Sequence, residues 1–140
     1  RQPGEFVERI DVPLAAPDVM FRSYKISKRF DQDITAALGA FAVTLDDSGN
    51  VASARICFGG MAATPKRATA TEAALLGQPW TEETMQAAAE HMATDYAPLT
   101  DMRASADYRM KVSKNLLTKF WLETTDETLE SRLVGVAVNG

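Results

Sequence analysis

Two short apolar-rich runs, 40–45 and 51–58, stand on either side of Asp46-Asp47-Ser48-Gly49-Asn50. A short connector whose Gly and Asn tolerate positive φ joins two strands into an antiparallel hairpin. The strand period of two puts Ala54, Ile56 and Phe58 on one side of the second run, with Arg55 and Cys57 on the other. A sheet with one apolar face must be covered. The second half of the chain carries the helix signals that could cover it.

Thr69 with Glu72 three residues on reads as a capping box, and Gly77 as the stop of that helix. Thr81 followed by Glu82 and Glu83 predicts a second helix start, with acids favoured by the dipole and Trp80 and Met85 placed as a hydrophobic staple. Met85, Ala88, Ala89 and Met92 form its apolar stripe. Beyond Pro98 a third helix is expected over roughly 103–123, with Tyr108, Val112, Leu116 and Phe120 in one row and Leu117 and Trp121 beside it. This stripe reads as core.

The first half holds two further strand candidates. Residues 5–12 alternate in part and end at Pro13. In 20–26, Phe21, Ser23 and Lys25 share a face. Residues 33–38 are ambiguous, with a short helical turn as one option. The fold class expected is therefore α+β: an antiparallel sheet of three to four strands covered by about three helices. The domain is expected over 1–123. Residues 124–140 form a tail, polar and acidic to Ser131, then a short apolar stretch, 133–138, that reads as either a terminal strand or a tail end.

A chain of 140 residues is about one domain. The net charge of −4 argues against a nucleic-acid partner, which needs a basic surface to release counterions. No apolar run approaches the roughly 20 residues of a membrane span, and no signal-peptide pattern opens the chain. One cysteine, Cys57, and one histidine, His91, cannot build a disulfide, a zinc site or an iron–sulfur site, so no metal ligand is expected here. Cys57 reads as a buried small hydrophobe, His91 as exposed, and the compartment as the reducing cytoplasm. The chain opens on Arg1 rather than Met, which predicts that it belongs to something longer. It holds no self-contained set of acid, base and nucleophile, so no catalytic residue is expected.

The densest charge lies in Tyr24-Lys25-Ile26-Ser27-Lys28-Arg29-Phe30-Asp31-Gln32-Asp33-Ile34. That run resembles the entry into the C-terminal domain of the FAD-binding subunit of xanthine dehydrogenases and related molybdenum hydroxylases. Three other blocks resemble the same family in the same order. They are Pro3-Gly4-Glu5-Phe6-Val7 through Ile10 to Pro13; Ala54-Arg55-Ile56-Cys57-Phe58-Gly59-Gly60-Met61-Ala62; and Asp101-Met102-Arg103-Ala104-Ser105 with Tyr108-Arg109 and Asn115-Leu116-Leu117. Lys25-Ile26-Ser27-Lys28-Arg29 and Gly59-Gly60-Met61-Ala62 look nearest to the bacterial xanthine dehydrogenase small subunits.

The resemblance implies a part of a larger machine. In that family a molybdenum cofactor in another subunit hydroxylates a purine, two [2Fe–2S] clusters carry the electrons to FAD, and the reduced flavin passes them to NAD. The partners implied are an upstream FAD-binding domain and the molybdenum-cofactor subunit. This chain would close one side of the flavin site. Lys25 matches a position that contacts FAD, and Lys28 and Arg29 would either attract the phosphates of the nicotinamide dinucleotide or simply be solvated. Asp31 and Asp33 would pair with these cations or cap the following turn. Gln32 stands where the family shows an acid. Gly59-Gly60 marks a turn or a close approach of backbone, Asp101 with Arg103 a helix cap and ion pair, and Tyr108 and Arg109 structural positions, Arg109 with an option of facing a neighbouring domain. The alternative is a docking module of such a complex that never touches flavin.

Overall fold

The computed structural model describes residues 2–29, 32–126, 128–129 and 131. The apolar stretch 133–138 and Asp31 lie outside the described residues. Four strands, β1 (Met20–Ile26), β2 (Ala37–Leu45), β3 (Val51–Gly59) and β4 (Lys66–Arg67), form one antiparallel sheet in sequence order. The hairpin is the one expected. Asp46 accepts from the backbone N–H of Ser48 and of Asn50, both at 2.9 Å, and Gly49 takes a φ of 79°. Register follows the period of two, with Phe41 opposite both Arg22 and Ile56.

The helices α1 (Thr69–Leu75), α2 (Glu82–Glu90), the single turn α3 (Met92–Asp95) and α4 (Ala106–Thr125) gather on one face of the sheet. Phe41 is the centre of that contact. Its ring stacks on Phe120 of α4 at 5.1 Å and meets Phe58 edge-on at 5.6 Å and Tyr24 at 5.7 Å. Phe41, Phe58 and Phe120 are fully buried, which stabilises by ~1.5–3 kcal/mol each. The other face of the sheet presents Phe21, Ser23, Lys25, Leu38 and Arg55 to solvent. Cys57, expected to be buried, is half-buried, because it points to this open face.

Several expectations are corrected. Residues 5–12 form no strand: they carry no regular structure and pair with no edge of the sheet. Residues 33–38 are not a helical turn but the entry to β2, where the Ala36 N–H donates to Ile26 O at 2.8 Å. The capping box at Thr69 does not form. Glu72 turns instead to the sheet and accepts from the Ile56 N–H at 2.7 Å and from Arg67 Nη2 at 2.6 Å. Its place at the helix start is taken by Asp95, which accepts from the N–H groups of Ala70 at 2.8 Å and Thr71 at 2.9 Å. Helix α4 starts at Ala106 rather than 103, with Ser105 as its cap. Its buried face holds Arg109, Ser113, Leu116, Leu117 and Phe120, while Tyr108, placed in the core row from spacing, is half exposed. Thr81 caps α2 as expected, accepting from the Thr84 N–H.

Candidate functional site

One end of the sheet gathers the charged run. The chain leaves β1 at Ile26, loops through 27–36 and returns as β2. Asp33 organises this loop. Its carboxylate accepts from the Arg29 N–H at 2.8 Å and the Ile34 N–H at 2.9 Å, and pairs with Arg29 Nη2 at 3.2 Å. Those bonds, the Arg29 N–H first, hold the Asp33 carboxyl below its ordinary value, so the anion that shapes the loop persists into mild acid. Lys25 Nζ donates to Asp33 O at 2.8 Å, and Ser27 Oγ donates to Arg29 O at 2.8 Å. Within the loop Gln32 takes a φ of 49°, in the left-handed region that residues other than glycine seldom adopt.

The facing wall is the segment 101–105 that leads into α4. Asp101 accepts from the N–H groups of Arg103 at 2.8 Å and Ala104 at 3.2 Å, and these donors, Arg103 first, hold its carboxyl below the ordinary pKa. Lys28 Nζ reaches across and donates to Met102 O at 2.7 Å, tying the two walls together. Beneath them Arg109 is 3% exposed. Its guanidinium donates to Ala36 O, to Gly60 O at 3.0 Å and to Asp101 Oδ1 at 2.7 Å. One side chain thus binds the start of β2, the end of β3 and the 101–105 wall. Gly60 belongs to the same junction. It has a φ of 80°, and a Cβ there would lie 2.5 Å from Ala36 O, so the reading of a close backbone approach holds.

Two adjoining clefts result. One of about 350 Å³ is lined by Lys28, Arg29, Asp33, Ile34, Ala36, Met102 and Arg103. The other, about 240 Å³, runs from Ile26, Ser27, Lys28 and Ala36 to Arg103, Ala104 and Tyr108. Cations stand over an apolar floor, the combination that takes a phosphate or another anionic group beside a flat or aliphatic one. Ligand pockets span ~300–1,000 Å³, so clefts of this size suit part of a dinucleotide rather than all of it. The donor set therefore fits FAD or a nicotinamide dinucleotide as one wall of a site.

Lys28 and Arg29 are brought together on the larger cleft. Lys25 is not with them: it stands on the open face of the sheet, bordering neither cleft, and is tied to them through Asp33. Arg103 was read from sequence only as the ion-pair partner of Asp101. Its contact with that carboxylate is long, 3.6 Å, and it lines both clefts. The principal partner of Asp101 is Arg109, and Ser105, not Asp101, caps α4. The signal that could have singled out Arg103 is its position in the short connector before α4, where a long cation cannot be absorbed by the helix. His91 is exposed, as expected. Among the described residues no group of three His, Cys, Asp or Glu could hold a metal ion. The arrangement offers fixed positive charge and an apolar surface, the chemistry of binding and orienting rather than of bond making.

A family model described as the CO dehydrogenase flavoprotein C-terminal domain matches residues 22–124. Among curated relatives, a nicotinate hydroxylase of Emericella nidulans is 30% identical over 84% of this chain and 9% of its own length. A putative xanthine dehydrogenase FAD-binding subunit of Escherichia coli K12 is 30% identical over 69% of this chain and 32% of its own. Among solved structures, carbon monoxide dehydrogenase of Hydrogenophaga pseudoflava superposes with a TM-score of 0.69 at 33% identity, covering 77% of this chain and 37% of that one. The chain spans about a third or less of the length of these relatives.

Proposed function

The chain belongs to the CO dehydrogenase flavoprotein C-terminal domain family, and from that premise we propose that it closes one side of the flavin site of a molybdenum hydroxylase, most nearly of the xanthine dehydrogenase kind. The observation that carries this reading is the pair of clefts between the 27–36 loop and the 101–105 wall, with Lys28, Arg29 and Arg103 over Ala36, Ile34 and Met102. When bound, FAD would supply the redox chemistry, receiving electrons that originate at a molybdenum cofactor and pass through [2Fe–2S] clusters elsewhere in the complex, and yielding them to NAD.

The residues of this chain supply position and field. Lys25 is a fixed ammonium on an uncovered sheet face, anchored at Asp33 O, and a positive charge beside a flavin favours its anionic reduced form. Lys28 and Arg29 present charge to dinucleotide phosphates, Arg29 as a planar fork whose Nη2 is steadied by Asp33. The complementary domain would be the FAD-binding part of the same flavoprotein, the further partner the molybdenum-cofactor subunit, and the compartment the cytoplasm.

A second reading, a docking module without flavin contact, has one observation in its favour: Lys25 borders neither cleft. One set of variants separates the two. In the complete enzyme, Lys25→Ala is expected to slow NADH production about tenfold, on the order of 1.4 kcal/mol of transition-state stabilisation, with subunit assembly and FAD content unchanged. Arg29→Ala is expected to raise the KM for NAD more than it lowers kcat. Wild-type turnover and KM in both variants would sink the flavin role. Loss of assembly with normal turnover in the assembled fraction would favour the docking module.

A further inference from the structure

The two clefts share one ridge. Lys28, Ala36 and Arg103 line both, with about 350 Å³ on one side and about 240 Å³ on the other. The ridge is cationic, and most of its donors are unspent. Lys28 Nζ gives one of its three donors to Met102 O at 2.7 Å. Arg103 gives none. Its ion-pair partner Asp101 has Oδ1 taken by Arg109 Nη2 and by the main-chain N–H groups of Arg103 and Ala104. Oδ2 stands 3.6 Å from Arg103 Nη1, too far for a hydrogen bond. Among the described residues the Arg103 guanidinium donates to nothing, and its side chain is 40% exposed. The neighbouring arginines are committed: Arg29 is paired to Asp33, and Arg109 is buried on three acceptors.

The smaller cleft adds a ring. Tyr108 stands in its wall, 49% exposed and apart from the core cluster. Ile26 and Ala104 supply apolar surface beside it. An uncovered aromatic ring over an aliphatic floor is a platform on which a flat heterocycle stacks. Two lobes separated by a cationic ridge suit a ligand with two bodies joined by a diphosphate. The walls are open, since Lys28, Arg29 and Tyr108 are all exposed. They bury too little of a ligand to retain it as a resident group, and so suit one that comes and goes.

We propose that Arg103 and Lys28 hold the diphosphate of a nicotinamide adenine dinucleotide, and that Tyr108 stacks its adenine in the smaller cleft. The nicotinamide has to face the flavin that reduces it, so the ring left for Tyr108 is the adenine. Arg103 offers one phosphate two parallel N–H donors, and Lys28 offers the other a point charge. The identity of the ligand rests on the flavin-site reading; the two-lobed anion site does not.

The test is calorimetric titration of the complete enzyme with ADP and with inorganic pyrophosphate. Arg103→Ala is expected to weaken both about tenfold, and Arg103→Lys about threefold, because an ammonium keeps the charge and loses the fork. Tyr108→Leu is expected to weaken ADP about tenfold and pyrophosphate less than about twofold, since only ADP carries the base. Both side chains are exposed, so each variant is expected to melt with the wild type. In turnover, the KM for NAD should rise more than kcat falls. ADP affinity unchanged in Arg103→Ala and Tyr108→Leu overturns the proposal. So does loss of FAD from either variant, which would make the resident flavin the ligand of the ridge. An enzyme that keeps its FAD and slows on Lys25→Ala, while ADP ignores Arg103, defeats this inference alone. ADP binding that needs Arg103 and Tyr108, in an enzyme that holds no FAD, defeats the flavin reading alone.

Discussion

Arg109→Ala is expected to destabilise the domain by about 3–4 kcal/mol, a large share of the ~5–15 kcal/mol that holds a domain folded. The guanidinium satisfies two main-chain carbonyls, Ala36 O and Gly60 O, that lie where two strands end and where no strand partner serves them. Ala36 is buried, and its carbonyl left without a donor costs ~1–3 kcal/mol, to which the cavity left by a buried side chain adds; Gly60 is exposed, so its carbonyl can turn to water. Asp101 fares better, because it is partly exposed and keeps the Arg103 and Ala104 N–H donors. Against this stands Arg109 Nε, buried without a partner among the described residues, so the side chain is worth less than its three bonds suggest. Lysine cannot replace it, since a single ammonium does not span three acceptors in three directions. Arg109→Lys is expected to lose about 2 kcal/mol. Urea unfolding of the two variants is the measurement. A loss below about 1 kcal/mol for the alanine variant would show that the junction is held by the strands themselves.

The same junction shows why part of the site was legible in the sequence and part was not. The β2–β3 hairpin could be read because every determinant is local: a period of two, an Asp–Gly–Asn turn and one apolar face. The Thr81 start of α2 could be read for the same reason. The charged loop announced itself by composition, though not the way Asp33 gathers it. Arg109 could not be placed, because its three acceptors come from positions 36, 60 and 101, and spacing along α4 says only which residues share a face. The row from Tyr108 is buried only at its far end, at Leu116 and Phe120; at the near end Arg109 and Ser113 turn inward instead and Tyr108 outward, which gives the Ala36 carbonyl its donor. Residues 5–12 carry the pattern of a strand, but a strand needs an edge to pair with, and the sheet of this domain does not take them.

Asp95→Ala is expected to cost about 3 kcal/mol, for a reason equally hidden from the sequence. Helix α1 is short and packs against α3; Thr69 is exposed and Ala70 half-buried, but Thr71 is fully buried, so its N–H cannot turn to water. Asp95, itself buried, accepts from the N–H of Ala70, the N–H of Thr71 and Thr71 Oγ1 at 2.8–2.9 Å. A local cap is worth up to ~2 kcal/mol, and leaving a buried N–H orphaned adds ~1 kcal/mol or more. Burial alone would raise the pKa of this carboxyl, but the donors of Ala70 and Thr71 and the nearby Lys66 outweigh it, and the net shift is downward. A carboxyl held lower in the folded chain than in the unfolded one adds stability above its ordinary value, ~3.9 for Asp, and loses it as pH falls through the folded value. Asp95→Asn keeps one carbonyl for the helix start but no charge, so it is expected to lose about 1–2 kcal/mol at neutral pH. Its unfolding midpoint should then change less than the wild type between pH 5 and pH 2. Parallel midpoints for the two chains across that window would mean that the negative charge on Asp95 contributes nothing and that packing of α3 alone holds α1 in place.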